Sequence, residues 1–472
     1  MEQAQAETIF KRIINDVPDY QVFLTVDELN ESSQQLASQY PDTVKLEEIG
    51  RSRKGEPIPL LTIGNGRRTA LLFGCPHPNE PIGAMMLEYL SWRLATDEAL
   101  REALDYTWYI IKVVDPDSTR LNEGWFKGPF TPHHYARHFY RPPGNQQVEW
   151  TFPIKYKNLN FDSPMPETQA LMRVMDRVKP AFMYSLHNAG FGGVYFYMSE
   201  EAPPVYKTLH DLVHQQQLPL SLGEPEMPYA EPLATAIYRM PTSVQTYDYY
   251  EKYTDIDPAT ILRSGTSSDD YVRRIANTFT LVCEVPYFYD PRIEDTTPGN
   301  KSRREAILEN VAMSRDHYQR LRQWWEAAEP LLTAETPFRA TIRETLATAE
   351  HNLAAKEAWA LGTDSLNRPA TVAELFDNLE VAAFYQLLSV GVFRRLLEDE
   401  LQRRAAHGAR RDGAAAQLTH ILNSVETYFE DRAAWLENAL DYRVIPIRHL
   451  VRVQLGAALY LMDYVQRQRD AG

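Results

Sequence analysis

Four short apolar runs in the first 290 residues predict buried β-strands, because none of them alternates cleanly between apolar and polar positions. These runs cover residues 70–74, 109–114, 181–186 and 278–285. Stretches with helical periodicity lie between them, including residues 82–94 and 167–178. Strands that alternate with helices are typical of the α/β class, which is the fold class that this part of the chain predicts.

A short lead-in precedes these strands. Thr25 begins a capping-box pattern with Glu28, and this predicts a helix of about three turns. Residues 45–49 and 57–63 then predict two strands, and the intervening residues 53–56 predict a hairpin turn.

The pattern changes after about residue 330, where strand signals almost disappear. A second capping box at Thr371 opens an amphipathic helix, and further helices are predicted around 425–440 and 450–466. The apolar positions of the first of these helices lie near one face: Leu375, Leu379, Ala383, Leu387, Val390 and Leu397. We therefore predict two domains, residues 1–335 and an all-α C-terminal extension, residues 336–472. The apolar face of the extension must pack on the first domain, within its own bundle or across a dimer interface, and we favour a homo-oligomer.

Composition and charge exclude several classes of protein. The formal net charge is −15, which disfavours non-specific binding to nucleic acid or to an anionic membrane. Two cysteines, Cys75 and Cys283, cannot form a disulfide framework or a four-thiolate zinc site. The N-terminus lacks the pattern of a secretory signal, and residues 450–465 are too short and too charged to span a bilayer. We expect a cytoplasmic protein without nucleic-acid or membrane partners.

Candidate chemistry lies at the predicted strand ends. His77 and Glu80 follow the first buried strand, His187 follows the third, and Glu284 lies within the fourth. In open α/β sheets, sites form at the carboxyl ends of strands. Two imidazoles, a carboxylate and an open fourth position are typical of catalytic zinc. Each residue alone has a simpler interpretation, since a strand-end histidine is usually structural and a buried glutamate can be a salt-bridge partner.

If these residues act together, zinc would polarise a carbonyl group and lower the pKa of a bound water to about 7. A second carboxylate that does not bind the metal would then take the proton, and Glu284 fits that role. We expect one zinc ion per chain.

Several short segments support this interpretation by resemblance. They are residues 24–28, 49–58, 77–80, 115–117, 120–122, 185–187 and 279–284. In this order they resemble motifs of the carboxypeptidase A-like zinc peptidases, over about residues 20–330. The resemblance implies a three-layer α/β/α sandwich with a mixed central sheet. It also implies zinc ligands at His77, Glu80 and His187, a catalytic base at Glu284, and an oxyanion-stabilising arginine at Arg120.

Two departures from that family concern the substrate's terminal carboxylate. The family's Asn-Arg-Asn segment corresponds to residues 157–162, which retain Asn158 but have Leu159 at the arginine position. Leu262 stands where the family has a mobile tyrosine, whereas residues 265–270, which include Asp270, still resemble the loop of its specificity pocket. The long loop 130–141 is rich in aromatic and cationic residues. It is either an ordinary surface loop or the source of a cation that binds the terminal carboxylate in place of the family's arginine. The candidate cations are Arg141, which we favour, Arg137 and Arg263.

The first functional expectation is a metallocarboxypeptidase that hydrolyses peptides. The alternative is an amidase or deacylase on the same core, which acts on N-acyl amino acids or modified peptides. A catalytically silent binding module is disfavoured, because the metal ligands and the base are all present.

Overall fold

The computed structural model describes residues 2–406 and 413–471. Its strands are β1 Val44–Arg51, β2 Pro57–Ile63, β3 Arg68–Phe73, β4 Tyr106–Ile111, β5 Ile154–Tyr156, β6 Leu159–Phe161, β7 Phe182–Ser185, β8 Tyr195–Met198, β9 Pro232–Ala234, β10 Ile237–Arg239, β11 Phe279–Glu284, β12 Phe288–Tyr289, β13 Pro298–Ser302, β14 Pro369–Thr371 and β15 Arg443–Val444.

The α-helices are α1 Glu2–Asn15, α2 Val26–Gln39, α3 Ile82–Thr96, α4 Glu98–Ala103, α5 Pro116–Arg120, α6 Glu123–Phe126, α7 Pro132–His138, α8 Pro166–Val178, α9 Pro203–Gln215, α10 Ser243–Tyr253, α11 Pro258–Ile261, α12 Ser268–Ile275, α13 Arg303–Ala328, α14 Pro337–Gly362, α15 Val372–Phe376, α16 Ala382–Ala406, α17 Gly413–Ala439 and α18 Ile447–Ala471. The predicted capping boxes at Thr25 and Thr371 are both formed.

A mixed sheet of nine strands forms the centre of the described structure, in the order β1-β2-β4-β3-β7-β11-β8-β10-β9. Its central strands β4, β3, β7 and β11 are parallel, whereas β1, β2, β8 and β9 each have an antiparallel neighbour. The parallel strands β3, β7 and β11 end at the same edge of the sheet. The residues that follow Phe73 and Ser185, and Glu284 itself, are therefore neighbours in space.

Helices cover both faces of this sheet and make it the middle of three layers. On one face, Leu71 and Phe73 of β3 pack in a buried cluster with Leu171 and Val174 of α8. On the other face, Leu72 of β3 belongs to a larger cluster that includes residues of α3 and α18. Burial on both faces explains why these strands appear as continuous apolar runs in the sequence. The predicted α/β/α sandwich with a mixed sheet is confirmed.

The predicted helical C-terminal region is also present, as helices α14 to α18. Its last helix, α18, packs against the central sheet. Leu455 and Leu459 of α18 are completely buried in the same cluster as Leu72 of β3 and Met85 of α3. The domain boundary at residue 335 stays a prediction, but the apolar core runs across it.

Two predicted elements differ in detail from the structure. The strand expected at 109–114 begins three residues earlier, as β4, and its last predicted residues form a buried loop in which Lys112 pairs with Glu88. The helix predicted from Thr371 is interrupted by one π-helical segment, Asp377–Val381, between α15 and α16. No helix in the described parts of the chain has both the length and the apolar character needed to cross a membrane.

Candidate metal centre and active site

The turn between β3 and α3 carries two of the predicted ligands. Cys75, two residues after the end of β3, adopts a left-handed conformation (φ 52°) in this turn. Gly83, at the start of α3, lies so close to β7 that a Cβ atom there would be 2.4 Å from Leu186 Cβ. Glycine thus lets the first turn of α3 lie beside the end of β7. This places His77 and Glu80 next to His187.

Three donor atoms converge where this turn meets the end of β7. His77 Nδ1 lies 3.2 Å from each carboxylate oxygen of Glu80. His187 Nδ1 lies 3.0 Å from both His77 Nδ1 and Glu80 Oε2. All three side chains are buried, with at most 5% of each residue exposed. In the described chain they form a group of His and acidic residues with metal-binding spacing.

The donor set fits zinc. Bonds of about 2.0–2.2 Å in a tetrahedral arrangement separate neighbouring ligand atoms by about 3.3 Å, close to the separations found here. Two imidazole Nδ1 atoms that face each other at 3.0 Å cannot both carry a hydrogen, whereas a cation between them satisfies both lone pairs. Burial and the neighbouring Arg141 guanidinium lower the pKa of His77 to about 4, which keeps this imidazole in the neutral form that binds metal.

A second carboxylate, that of Glu149, lies on the Nε2 side of the His187 ring, 3.8 Å from this nitrogen. Ser185 Oγ lies 2.8 Å from His187 Nε2 and donates a hydrogen bond to Glu149 Oε2 at 2.9 Å. Glu149 is in turn fixed by the backbone N–H and the hydroxyl of Ser268, at 2.9 and 2.8 Å. This network orients the imidazole so that Nδ1 points into the centre, as outer partners of metal ligands usually do. Glu149 is not among the site residues predicted from the sequence, although an acidic residue between the apolar residues Val148 and Trp150 was a signal for it.

The predicted base lies beside this centre. Glu284 is the last residue of β11 and shares a cavity of about 300 Å³ with His77, Glu80 and His187. Burial, followed by the negative charge of Glu80, holds the pKa of Glu284 well above its usual range. The carboxyl group is therefore placed to hold a proton within the cavity.

The guanidinium group at the centre belongs to Arg141. Its Nη1 donates to Glu80 Oε1 at 3.0 Å, and its Nη2 lies 2.9 Å from His77 Nδ1. Arg120 lies elsewhere, where it pairs with Asp27 at 2.6 Å and with Glu56 at 3.1 Å, and it does not line the cavity. Arg141 therefore lines this cavity and Arg120 does not, and the oxyanion role of Arg120 stays a prediction.

The other predicted substrate-binding residues do not line this cavity either. Arg137 pairs with Glu426 and Glu430 of α17, at 2.6 and 2.7 Å. Arg263 pairs with Glu344 at 3.3 Å.

Asn158 and Asp270 have local partners. Asn158 donates to Asp257 at 3.0 Å, whereas Asp270 accepts hydrogen bonds from the Ser243 backbone and the Thr266 hydroxyl. Leu159 is buried in a small apolar cluster with Tyr247. Leu159 is therefore a core residue, and its correspondence to the family's arginine stays a prediction.

Several cavity residues carry no sequence signal that we used. Glu226 lies in the long connection after α9, and Tyr385 and Leu388 lie on α16 of the helical C-terminal region. The Tyr385 hydroxyl accepts a hydrogen bond from the Gly190 backbone at 3.2 Å, three residues after His187. The C-terminal helices thus contribute directly to the wall of the candidate active site.

Comparison with known proteins gives one family match. The profile of the family described as zinc carboxypeptidase matches residues 29–289. A curated protein, zinc carboxypeptidase A 1 of Anopheles gambiae, is 31% identical over 128 residues, which are 24% of this chain and 29% of that protein. The chain therefore matches less than a third of this relative's length.

Solved structures with similar folds include carboxypeptidase A from Helicoverpa armigera, at 14% identity and a TM-score of 0.36, covering 60% of this chain and 70% of that one. Bovine thrombin-activatable fibrinolysis inhibitor is 12% identical with a TM-score of 0.35, over 73% and 98% of the two chains. The murein-tripeptide amidase of Escherichia coli O157 is 17% identical with a TM-score of 0.26, over 51% and 82%.

Proposed function

Because the chain belongs to the zinc carboxypeptidase family, we propose that it is a zinc-dependent hydrolase that cleaves a peptide or amide bond, and first of all a metallocarboxypeptidase. One observation carries the proposal. The converging donor atoms of His77, Glu80 and His187 share a single cavity with the carboxyl group of Glu284 and the guanidinium of Arg141.

We assign each of these residues a separate role in amide hydrolysis. His77, Glu80 and His187 would hold a zinc ion, which would supply the Lewis acidity needed to polarise a carbonyl group and to lower the pKa of a water. With the charge of Glu80 neutralised by a bound cation, Glu284 would be ionised, so it could accept the proton of the attacking water and deliver it to the leaving nitrogen, since it is a cavity carboxyl group outside the ligand set. Glu149 and Ser185 hold the ring of His187 in place.

Arg141 has two possible roles, and they separate two functions. In a carboxypeptidase without an arginine at position 159, Arg141 would bind the terminal carboxylate, because a buried carboxylate needs a cationic partner. In an amidase or deacylase, Arg141 would instead donate to the oxyanion that develops beside Glu80 and His77.

The amidase or deacylase is the second candidate, and one observation favours it. Among the described residues that line the catalytic cavity, Arg141 is the sole arginine or lysine. A single guanidinium that is 3.0 Å from a metal ligand is close to the reacting carbonyl, and it leaves no second cation for a terminal carboxylate. N-acyl amino acids and modified peptides are the substrates to test for this function.

The experiment compares peptides that differ only at the C-terminus. Zinc-loaded protein is incubated with a mixture of free-acid peptides, their C-terminally amidated forms and N-acyl amino acids, and the products are identified by mass spectrometry. A carboxypeptidase removes single residues from the free acids and leaves the amidated forms intact. Equal turnover of both forms favours the amidase. If Glu284→Gln protein releases the same products at the same rate, the hydrolytic site lies elsewhere. The cytoplasmic location and the homo-oligomer stay predictions.

A further inference from the structure

A second cavity adjoins the catalytic one. It has a volume of about 310 Å³ and shares Ala189, Glu226 and Tyr385 with the catalytic cavity. Glu226 is exposed and Tyr385 is 44% exposed, and both side chains line both cavities. A substrate bound at the metal centre therefore has an adjoining space for a side chain.

The cavity is built from both parts of the chain. Glu224 and Glu226 come from the connection after α9, within the residues that match the family profile. Lys356 comes from α14 and Asp377 from the π-helical segment, both in the helical C-terminal region. We call this space, lined by Glu224, Glu226, Lys356 and Asp377, the acidic side cavity.

The charges of the acidic side cavity are only partly balanced. Arg303 neutralises Glu224 through hydrogen bonds from Nε to Oε1 at 2.9 Å and to Oε2 at 3.2 Å, and from Nη2 to Oε2 at 2.6 Å. Lys356 donates to Asn310 Oδ1 at 2.8 Å and forms no ion pair within 4.0 Å among the described residues.

The remaining two carboxyl groups have only uncharged hydrogen-bond donors among the described residues, although the charge of Lys356 acts on Asp377 from outside ion-pair distance. Glu226 accepts a hydrogen bond from the Tyr197 hydroxyl at 3.0 Å, and Asp377 accepts one from the Glu224 backbone at 2.8 Å. Burial, followed by the nearby charge of Glu224, raises the pKa of Asp377 to about 7. The cavity therefore has more carboxyl groups than cationic partners, and a further positive charge would be stabilised there.

We infer that the acidic side cavity binds a cationic side chain of the substrate, an ammonium or a guanidinium group on a residue next to the scissile bond. This inference rests on the proposed function, because it assigns the substrate class of the same site. A cation held between Glu226 and Asp377 gains charge-assisted hydrogen bonds, each about twice as strong as a neutral one. The opposite arrangement, a substrate carboxylate on Lys356, would meet the negative charges of Glu226 and Asp377.

The test uses peptide pairs that differ in one charge, with lysine against Nε-acetyl-lysine and arginine against citrulline on either side of the scissile bond. We expect kcat/KM for the charged member to be about 10- to 100-fold higher, the range expected from charge-assisted hydrogen bonds. Glu226→Gln and Asp377→Asn keep the side-chain shapes, and each should reduce this ratio at least several-fold. The matched control is Asp364→Asn, since Asp364 has an exposed side chain in the same helical region and should leave the ratio unchanged.

Binding is measured separately from turnover, so that the two proposals can fail independently. Zinc-loaded Glu284→Gln protein is titrated with the same peptide pairs by calorimetry. We expect the charged members to bind more tightly than the neutral ones, and this difference should disappear when Glu226→Gln is added to Glu284→Gln. That result supports binding of a cationic side chain in the acidic side cavity even if wild-type protein hydrolyses none of the peptides. In that case the proposed function is wrong and the inference about the ligand stands. Equal binding of both members, or a preference for acidic side chains that Lys356→Met removes, overturns the inference.

Discussion

Gln454 of α18 donates a hydrogen bond from its side-chain nitrogen to the backbone carbonyl of His187 at 2.7 Å. The same amide also donates to the carbonyl of Cys283 at 3.2 Å, next to Glu284. One side chain from the last helix thus joins the strand ends that carry a metal ligand and the base. Gln454 is completely buried, so no solvent can replace it.

Replacement of Gln454 by leucine should therefore destabilise the protein. It leaves two buried carbonyls without this donor, and the expected decrease in the free energy of unfolding is about 1–3 kcal/mol. Urea unfolding measures this change, and Gln468→Leu, at an exposed position of the same helix, is the matched control. Equal midpoints for the two variants would mean that the Gln454 contacts contribute nothing.

The same contacts change what we expect of the helical C-terminal region. Removal of residues after Thr336 would expose the core residues of β3 and α3 that α18 buries. We expect the truncated chain to aggregate or to unfold cooperatively at a much lower temperature, as followed by circular dichroism. A truncated chain that keeps wild-type stability and zinc content would show that the region is a separate appendix.

Removal of a metal ligand should remove the metal. His187→Ala is expected to lose most of the zinc that wild-type protein retains at about one ion per chain, as measured by atomic absorption after dialysis. Glu149→Gln should bind zinc about 10- to 100-fold more weakly, because the outer partner of His187 is altered and the ligand itself is not. Full zinc occupancy in His187→Ala would exclude this residue as a ligand.

Replacement of the base should separate chemistry from metal binding. Glu284→Gln keeps the shape of the side chain but cannot accept the proton, so we expect retained zinc and a decrease in kcat of about 100-fold or more. Hydrolysis of the best peptide substrate and zinc content are measured on the same preparation. Activity within a few-fold of wild type would remove Glu284 from the mechanism.

The two arginines should behave differently. Arg120→Ala removes two ion pairs outside the cavity, so we expect little change in kcat/KM, because the side chain does not line the space where substrate would bind. Arg141→Ala should raise KM for free-acid substrates by about 10- to 1000-fold if Arg141 binds the terminal carboxylate. It should lower kcat for free-acid and amidated substrates alike if Arg141 stabilises the oxyanion. A larger effect at Arg120 than at Arg141 would reverse this assignment.

These arginines also show what could be predicted from the sequence. The metal centre could be predicted, because adjacent parallel strands bring their carboxyl ends together and the ligands directly follow those ends. Arg120 lies in a motif that resembles a family motif, but its side chain points to Asp27 and Glu56. Local sequence similarity does not determine that direction. Tyr385 and Gln454 could not be predicted as neighbours of the site, because each reaches it from a distant helix through tertiary packing.

The final prediction concerns pH and Asp377. Its pKa is raised from the ordinary value of 3.8 to about 7, because burial and the charge of Glu224 disfavour the ionised form. Between these values the folded chain holds a proton that the unfolded chain has released. The protonated Asp377 carboxyl group therefore contributes to the free energy of unfolding in full below pH 4. This contribution is lost as the pH rises to about 7.

Asp377→Asn cannot ionise and should remove this dependence. The groups that face Asp377 are Glu224, which pairs with Arg303, then Glu226 and Lys356, and all of them remain in the variant. Urea unfolding of both proteins from pH 5 to pH 8 should therefore show that the variant gains stability relative to wild type as the pH rises. A constant difference between the two proteins across this range would mean that Asp377 is ionised throughout, and that its charge is already compensated in the folded chain.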